Sequence, residues 1–270
     1  MTRRIAHRGF AGVAPENTVA AAVAAAEHAD AVEVDAQLSA DGDAVLFHDD
    51  RLDDRAGSRG VTDGDGYVWE STAADLADLS VFDSGEPVPT LRDLFDALPD
   101  DTAVNVELKN PGRTDLRPGE LLDDAARLER AGVWRPLVDA VADAAAEADN
   151  DVLLSSFCEG ALAAARDATP ETPLAVLLWD DPDAGLALAR RYDADAIHPP
   201  KTAVGDARID DAHLPPRSAF GGTDLVGVAA DEGYDVNVWT VTTWREADAL
   251  RDAGVDGIIA DYPGLGWRTE

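Results

Sequence analysis

Short apolar, β-branched runs alternate with Ala- and Leu-rich segments of helical period along the whole of this 270-residue chain. The runs predict strands over Arg4–His7, Ala31–Gln37, Ala103–Lys109, Val152–Phe157, Leu174–Trp179, Ala194–His198, Val236–Val241 and Gly257–Ala260. Between them, helical spacing predicts helices near Thr18–Ala29, Leu91–Leu98, Gly119–Ala148, Gly160–Asp167, Asp183–Tyr192, Asp224–Glu232 and Arg245–Ala253. Thr90 reads as an N-cap, Pro118 as a start signal, and Gly233 and Gly254 as helix ends. Gly132 is expected to break the long Gly119–Ala148 segment in two.

Eight β units alternating with helices over nearly the whole chain predict an α/β fold, a (β/α)8 barrel. A doubly wound open sheet is the alternative, but the Gly-x-Gly-x-x-Gly turn that usually opens one is absent. Two segments interrupt the alternation. Gln37–His48 reads as a hairpin around Asp41-Gly42, a strong turn dipeptide. Asp50–Pro89 is rich in Asp and Gly with no apolar period, and is expected to be a surface insertion able to serve as a small lid. No repeat or linker argues for a second core, so residues 1–270 are expected to form one domain with an insertion at about 50–89.

Charge changes the picture more than size does. With 54 Asp+Glu against 22 Lys+Arg, the formal net charge is −32. Nucleic acid and anionic membranes are repelled by such a surface. At 46% hydrophobic residues the chain is nevertheless too apolar for a disordered acidic tail. No apolar run is long enough to span a membrane, and Arg3-Arg4 lack the apolar region that would make a signal peptide. The single cysteine, Cys158, fits a reducing cytoplasm. Only Lys109 and Lys201 are lysines. Abundant Asp and scarce Lys suit a high-salt cytoplasm, where screening shrinks to about 3 Å at 1 M and self-repulsion costs little. Where Lys is nearly eliminated, a surviving Lys is a candidate for work that Arg cannot do.

Reactive groups of such a barrel gather at the C-terminal ends of its strands. Period-2 alternation puts Glu33 and Asp35 on one face of the second strand. Two buried carboxylates repel unless a cation lies between them, and a hard divalent ion does this well; a solvated edge strand is the other reading. Asn105, Glu107 and Lys109 share a face of the third strand, either as a further ligand with a neighbouring cation or as a structural Glu–Lys pair. His7 and Arg8 end the first strand and diverge unless the backbone bends at Gly9. His48, on the hairpin, returns to the same rim. Two His, one Arg, one Lys and three carboxylates together suit phosphate-ester chemistry: cations for the phosphoryl oxygens, a base and an acid. His198 ends the sixth predicted strand and is either a substrate contact or a rim side chain. His28, His213 and Cys158 are assigned no role.

These residues fall in an ordered series: His7-Arg8-Gly9, Pro15-Glu16-Asn17-Thr18, Glu33-Val34-Asp35, Phe47-His48-Asp49, Glu107-Leu108-Lys109, Asn237–Val241 and Asp256–Pro263. Seven pieces in this order resemble the glycerophosphodiester phosphodiesterases over nearly the full chain. The resemblance implies a TIM barrel with a family-specific insertion and metal ligands Glu33, Asp35 and Glu107. It also implies a base and acid in His7 and His48, with phosphate bound by Arg8 and Lys109 and the site held in shape by Glu16 and Asn17. Trp239 is implied as an apolar wall for the glycerol carbons (a barrel-filling aromatic being the other reading), with Phe157 beside it. Ala260 stands where the family usually has Thr, and Ala36 where it has Val or Leu; neither removes a ligand or a histidine. The expected activity is metal-dependent hydrolysis, with Mg²⁺ or Ca²⁺, of a glycerophosphodiester to glycerol phosphate and an alcohol. A phospholipase-D-like action on lysolipids and a non-catalytic phosphometabolite-binding barrel are the alternatives.

Overall fold

Residues 1–204, 209 and 211–265 are described in a computed structural model. Eight parallel strands close a barrel: β1 (Arg3–His7), β2 (Ala31–Leu38), β4 (Ala103–Asn110), β5 (Val152–Ser156), β6 (Leu174–Leu177), β7 (Ala196–His198), β8 (Asp235–Val241) and β9 (Gly257–Ala260). Closure comes from β1, which pairs with both β2 and β9. The short β3 (Ala44–Leu46) lies antiparallel on the C-terminal end of β2, as the Asp41-Gly42 hairpin requires. Helices α1 (Val19–Ala26), α3 (Leu91–Ala97), α4 (Asp124–Ala145), α5 (Glu159–Ala168), α6 (Pro182–Arg191), α7 (Leu225–Glu232) and α8 (Trp244–Asp252) surround it. All eight predicted barrel strands are present, and the open doubly wound sheet is excluded by the β1–β2 pairing.

Helix boundaries follow side-chain capping. Thr18, Thr90 and Thr243 each accept from the backbone N–H three residues on, satisfying a donor that the helix leaves orphaned. Gly233 ends α7 at φ 86°, a left-handed conformation that costs glycine little. The expected break at Gly132 does not occur: α4 is one helix, beginning after the Asp123 cap rather than near Pro118. A glycine inside a helix costs only about 1 kcal/mol, less than is gained by burying Trp134, Leu137, Val138 and Val141 along the same helix. Gly132 also lies four residues before Pro136, whose ring crowds the carbonyl at that position and offers it no N–H.

The segment after β3 departs from expectation. It contains a short helix, α2 (Ala73–Ala77), and buries Leu52, Val61, Val68, Leu76, Val81 and Val88 with Val45 and Phe47 in an apolar cluster separate from the main core. Its apolar residues are spaced by turns rather than by an element's period, so periodicity could not show them. None of its described residues lines the cavity at the barrel mouth, which does not fit a lid.

If this cluster stabilises the insertion, Leu76→Ala, at a fully buried position, should cost about 2–5 kcal/mol in a denaturant titration. A loss below about 0.5 kcal/mol would show that the cluster is not a cooperative part of the fold.

Candidate active site

The C-terminal ends of the strands converge on a cavity of ≈150 Å³ lined by His7, Arg8, Glu33, His48, Asn105, Glu107, Lys109, Phe157, Trp179 and Trp239, among others. Strand pairing explains the convergence. His7 stands beside Glu33 across β1–β2, and Asp35 beside Glu107 across β2–β4. The side chains of Glu33, Asp35 and Glu107 are all buried, and one carboxylate oxygen from each lies within 4.8 Å of the other two. The solvated-edge reading of Glu33 and Asp35 is thereby excluded.

Three carboxylates this close are costly out of water. Burial, then the charges of Asp35 and Glu107, raise the proton affinity of Glu33 well above the ordinary carboxylate range. Burial likewise raises Glu107, against the pull of Lys109. Asp35 goes the other way: burial opposes its charge, but Arg8 and Lys109 together with an Asn17 hydrogen bond hold it ionised. Arg8 Nε lies 2.9 Å from Asp35 Oδ2, and Lys109 Nζ lies 2.9 Å from Glu107 Oε1 and 3.7 Å from Asp35 Oδ1. Asp35 Oδ1 is buried and has no hydrogen-bond partner among the described residues. An orphaned, ionised oxygen between two further carboxylates fits a hard divalent cation, which prefers oxygen donors.

Arg8 reaches the site through the backbone. The bend begins at Arg8 itself, φ 50°, and continues at Gly9, φ 76°, where an added Cβ would meet Ala21 at 2.9 Å. His7 and Arg8 therefore both face the cavity, as a regular strand would forbid. Arg8 N donates to Glu33 Oε2 (3.0 Å), while Asn17 Nδ2 donates to Asp35 Oδ2 (2.9 Å) and Asn17 Oδ1 accepts from Asp35 N (3.1 Å). Glu16 accepts from Arg8 Nη1 at 3.0 Å. Neither Glu16 nor Asn17 lines the cavity; Glu16 braces Arg8, which does, and Asn17 braces Asp35, buried behind the lining.

Each histidine is backed by a carboxylate. His7 Nδ1 lies 2.6 Å from Asp261 Oδ1, and His48 Nδ1 lies 2.6 Å from Asp49 Oδ1. Engaging Nδ1 in this way leaves Nε2 of each ring as the nitrogen available for proton transfer. Burial, then Lys109 and Arg8, lower the His48 pKa to about 4; burial and Arg8 lower that of His7. Both rings are thus neutral near pH 7, with Nε2 able to accept a proton.

The aromatic wall is larger than expected. Phe157 meets Trp239 edge to face at 5.5 Å between ring centroids, and Trp179 stacks on Trp239 at 5.8 Å. Trp239 lines the cavity instead of filling the barrel. Trp179 is 41% exposed and carries the wall outward. His198, a candidate contact, does not reach the site: it is wholly buried, with Nε2 3.0 Å from Asn237 Nδ2. Lys201 is also buried, between Glu246 (2.9 Å) and Asp211 (3.1 Å). Burial raises the Cys158 thiol to about 12.

Sequence reasoning missed four supporting residues. Asp49 and Asp261 stood within the quoted motifs without a role. Gln37 Nε2 donates to the carbonyls of Phe47 (2.8 Å) and Asp49 (2.7 Å), fixing the chain on both sides of His48. Arg59, from the insertion, donates from its backbone N to Asp49 Oδ2 (2.7 Å), and its guanidinium donates to Glu16 Oε2 (2.9 Å) and Oε1 (2.6 Å). It ties the partner of His48 to the partner of Arg8. No local pattern marks Arg59, because its two contacts lie 10 and 43 residues away.

The profile of the glycerophosphoryl diester phosphodiesterase family matches residues 7–265. A glycerophosphodiester phosphodiesterase of Caldanaerobacter subterraneus is 29% identical over 268 residues, covering 96% of this chain and 93% of that protein. A probable glycerophosphodiester phosphodiesterase 1 of Mycobacterium tuberculosis is 31% identical over 277 residues, covering 96% and 89%. Among solved structures, an Oleispira antarctica phosphodiesterase in complex with the product sn-glycerol-3-phosphate superposes with a TM-score of 0.74 at 26% identity, covering 97% of this chain and 94% of that one.

Burial of the carboxylates sets a test that does not involve turnover. Because the folded-state pKa of Glu33 is raised, its ionisation weakens the fold as pH climbs from the unfolded value of about 4.3 through the raised one. In chelator, Glu33→Gln should therefore be more thermostable than wild type at pH 7, with the difference closing toward pH 4. Added Mg²⁺ or Ca²⁺ should raise the wild-type Tm and raise that of Glu33→Gln less. Equal cation responses would refute a site at these carboxylates.

Proposed function

The chain belongs to the glycerophosphoryl diester phosphodiesterase family, and from that premise we propose that it hydrolyses glycerophosphodiesters to glycerol phosphate and an alcohol. The observation that carries this reading is a pair of carboxylate-backed histidines lining one small cavity with Glu33 and Glu107, two members of a buried three-carboxylate cluster. In this reading Glu33, Asp35 and Glu107 hold one divalent cation, Mg²⁺ or Ca²⁺. Bound there, the ion would neutralise phosphoryl oxygens and make phosphorus more electrophilic.

Arg8 and Lys109 bind the phosphate and offset its charge against the carboxylates. One histidine, through Nε2, takes a proton from the free glycerol hydroxyl as that oxygen attacks phosphorus. The other, entering the step in its minor imidazolium form, delivers its Nε2 proton to the departing alkoxide and is left neutral. A cyclic glycerol phosphate results, and the two histidines exchange roles as water opens it. Asp49 and Asp261 keep each ring in the tautomer this needs and stabilise the imidazolium that forms. Phe157 and Trp239 shelter the glycerol carbons. At ≈150 Å³ the cavity is smaller than a typical ligand pocket of about 300–1,000 Å³. It suits the phosphoglycerol end, with the alcohol passing outward along Trp179.

The reading extends to conditions. The substrate is an anion and so, overall, is the protein. In dilute buffer the global field opposes capture; at molar salt only Arg8, Lys109 and the local cation are felt.

Turnover of glycerophosphocholine and glycerophosphoethanolamine, with a lysophospholipid alongside, tests the reaction. His48→Ala should lower kcat by about 10²–10⁴; near-full turnover would overturn the assignment, and product from the lysophospholipid alone would favour the phospholipase-D-like reading. Arg59→Ala should lower kcat by about tenfold or more, and by much less in an Asp49→Asn background, since residues acting through one partner are not additive. Activity and Tm should both rise from dilute buffer to molar KCl, and equal values in both would sink the high-salt setting.

A further inference from the structure

Three aromatic rings stand together around the catalytic cavity, and two of them already have a task. Phe157 and Trp239 line it beside Lys109, whose Nζ lies 5.9 Å from the Phe157 ring centroid. Trp239 Nε1 donates to the carbonyl of His198 at 2.7 Å, which fixes that ring in place. Trp179, from the loop between β6 and α6, is the third. It lines the same cavity, yet its side chain stays substantially in water. Leaving an indole exposed forgoes the gain of burying its apolar area, so the ring at the mouth asks for a ligand.

The ring geometry leaves a face open. Trp179 and Trp239 are nearly parallel, 15° apart, but their centroids lie 5.8 Å from each other. Full face contact needs about 3.5–4 Å, so the two rings are slipped past one another and neither covers the other. Phe157 stands edge-on to both, at 76° and 6.3 Å from Trp179 and at 88° and 5.5 Å from Trp239. Among the described residues, Lys109 is the one cation placed over any of these three rings. The π face of Trp179 therefore has no cation of the protein's own. Asp180 and Asp181 follow it, both exposed, and add negative potential beside a ring face that is itself negative.

We propose that Trp179 selects diesters whose leaving alcohol ends in a quaternary ammonium. The assignment rests on the phosphodiesterase reading, in which Arg8 and Lys109 hold the phosphate and the alcohol leaves along Trp179. In a choline-type ester the phosphorus and the nitrogen are four bonds apart, about 5 Å when extended. A phosphate at Lys109 thus sets the ammonium about one ring further along, and Trp179 is the next ring after Phe157, 6.3 Å away. Tryptophan is the strongest aromatic partner for a cation, and a quaternary ammonium has no N–H to leave unpaired on a ring face. An anionic alcohol would meet Asp180 and Asp181, and a neutral one would gain only apolar contact.

Calorimetric titration of the full-length His48→Ala protein, with Mg²⁺ or Ca²⁺ in about 1 M KCl, compares two ligands. One is glycerophosphocholine; the other is its uncharged isostere, the 3,3-dimethylbutyl ester of glycerol phosphate. Long-range attraction to a surface of net charge −32 is then screened within about 3 Å. The choline ester should bind about three- to thirtyfold more tightly, the range of a cation–π contact at a partly desolvated ring. Trp179→Leu, at a part-exposed position, should bring that ratio to about one, and Trp179→Phe should restore some of it. Equal binding of the two esters, or a preference that Trp179→Leu leaves unchanged, would overturn the proposal. Turnover by the wild-type protein is read separately. Cleavage of neither ester while the binding ratio holds would remove the phosphodiesterase reading and leave the ammonium subsite standing; binding of neither at about 10 mM would overturn both.

Discussion

The barrel mouth depends on one electrostatic constraint: three buried carboxylates within 4.8 Å of each other must be compensated. Two cations inside the protein do part of this. Arg8 and Lys109 pull Asp35 into its ionised form, but Glu33 and Glu107 retain a raised proton affinity. The cluster is therefore under-neutralised by its own residues. Such a deficit is what the proposed divalent cation would relieve, leaving Arg8 and Lys109 to meet an anionic substrate. Stability and ligand capture draw on the same imbalance.

Much of the surrounding structure serves to hold that imbalance in place. Positive φ at Arg8 and Gly9 turns two consecutive side chains inward. Asn17 grips Asp35 from the loop before α1, and Gln37 clamps the chain around His48. Arg59 brings the insertion into the network through Asp49 and Glu16. The insertion's small apolar cluster anchors Arg59's segment instead of covering the cavity. A net charge of −32 repels anions at long range, so under the proposed high-salt setting the few cations at the barrel mouth act alone.

Composition, periodicity and motif order were enough for the barrel, the order of its strands and the faces that carry Glu33, Asp35, Glu107 and Lys109. Those properties are local: a period of two fixes which side chains share a face, and an apolar run fixes where a buried strand runs. The sequence could not show that α4 continues through Gly132, because burial of Trp134 and its neighbours outweighs a local propensity. Nor could it show that Asp50–Pro89 has an apolar cluster, that His198 faces inward away from the site, or that Arg59 joins two partners distant in sequence. Tertiary structure decided these, because each depends on which groups closure of the barrel removes from water and which charges it leaves within a few ångströms of one another.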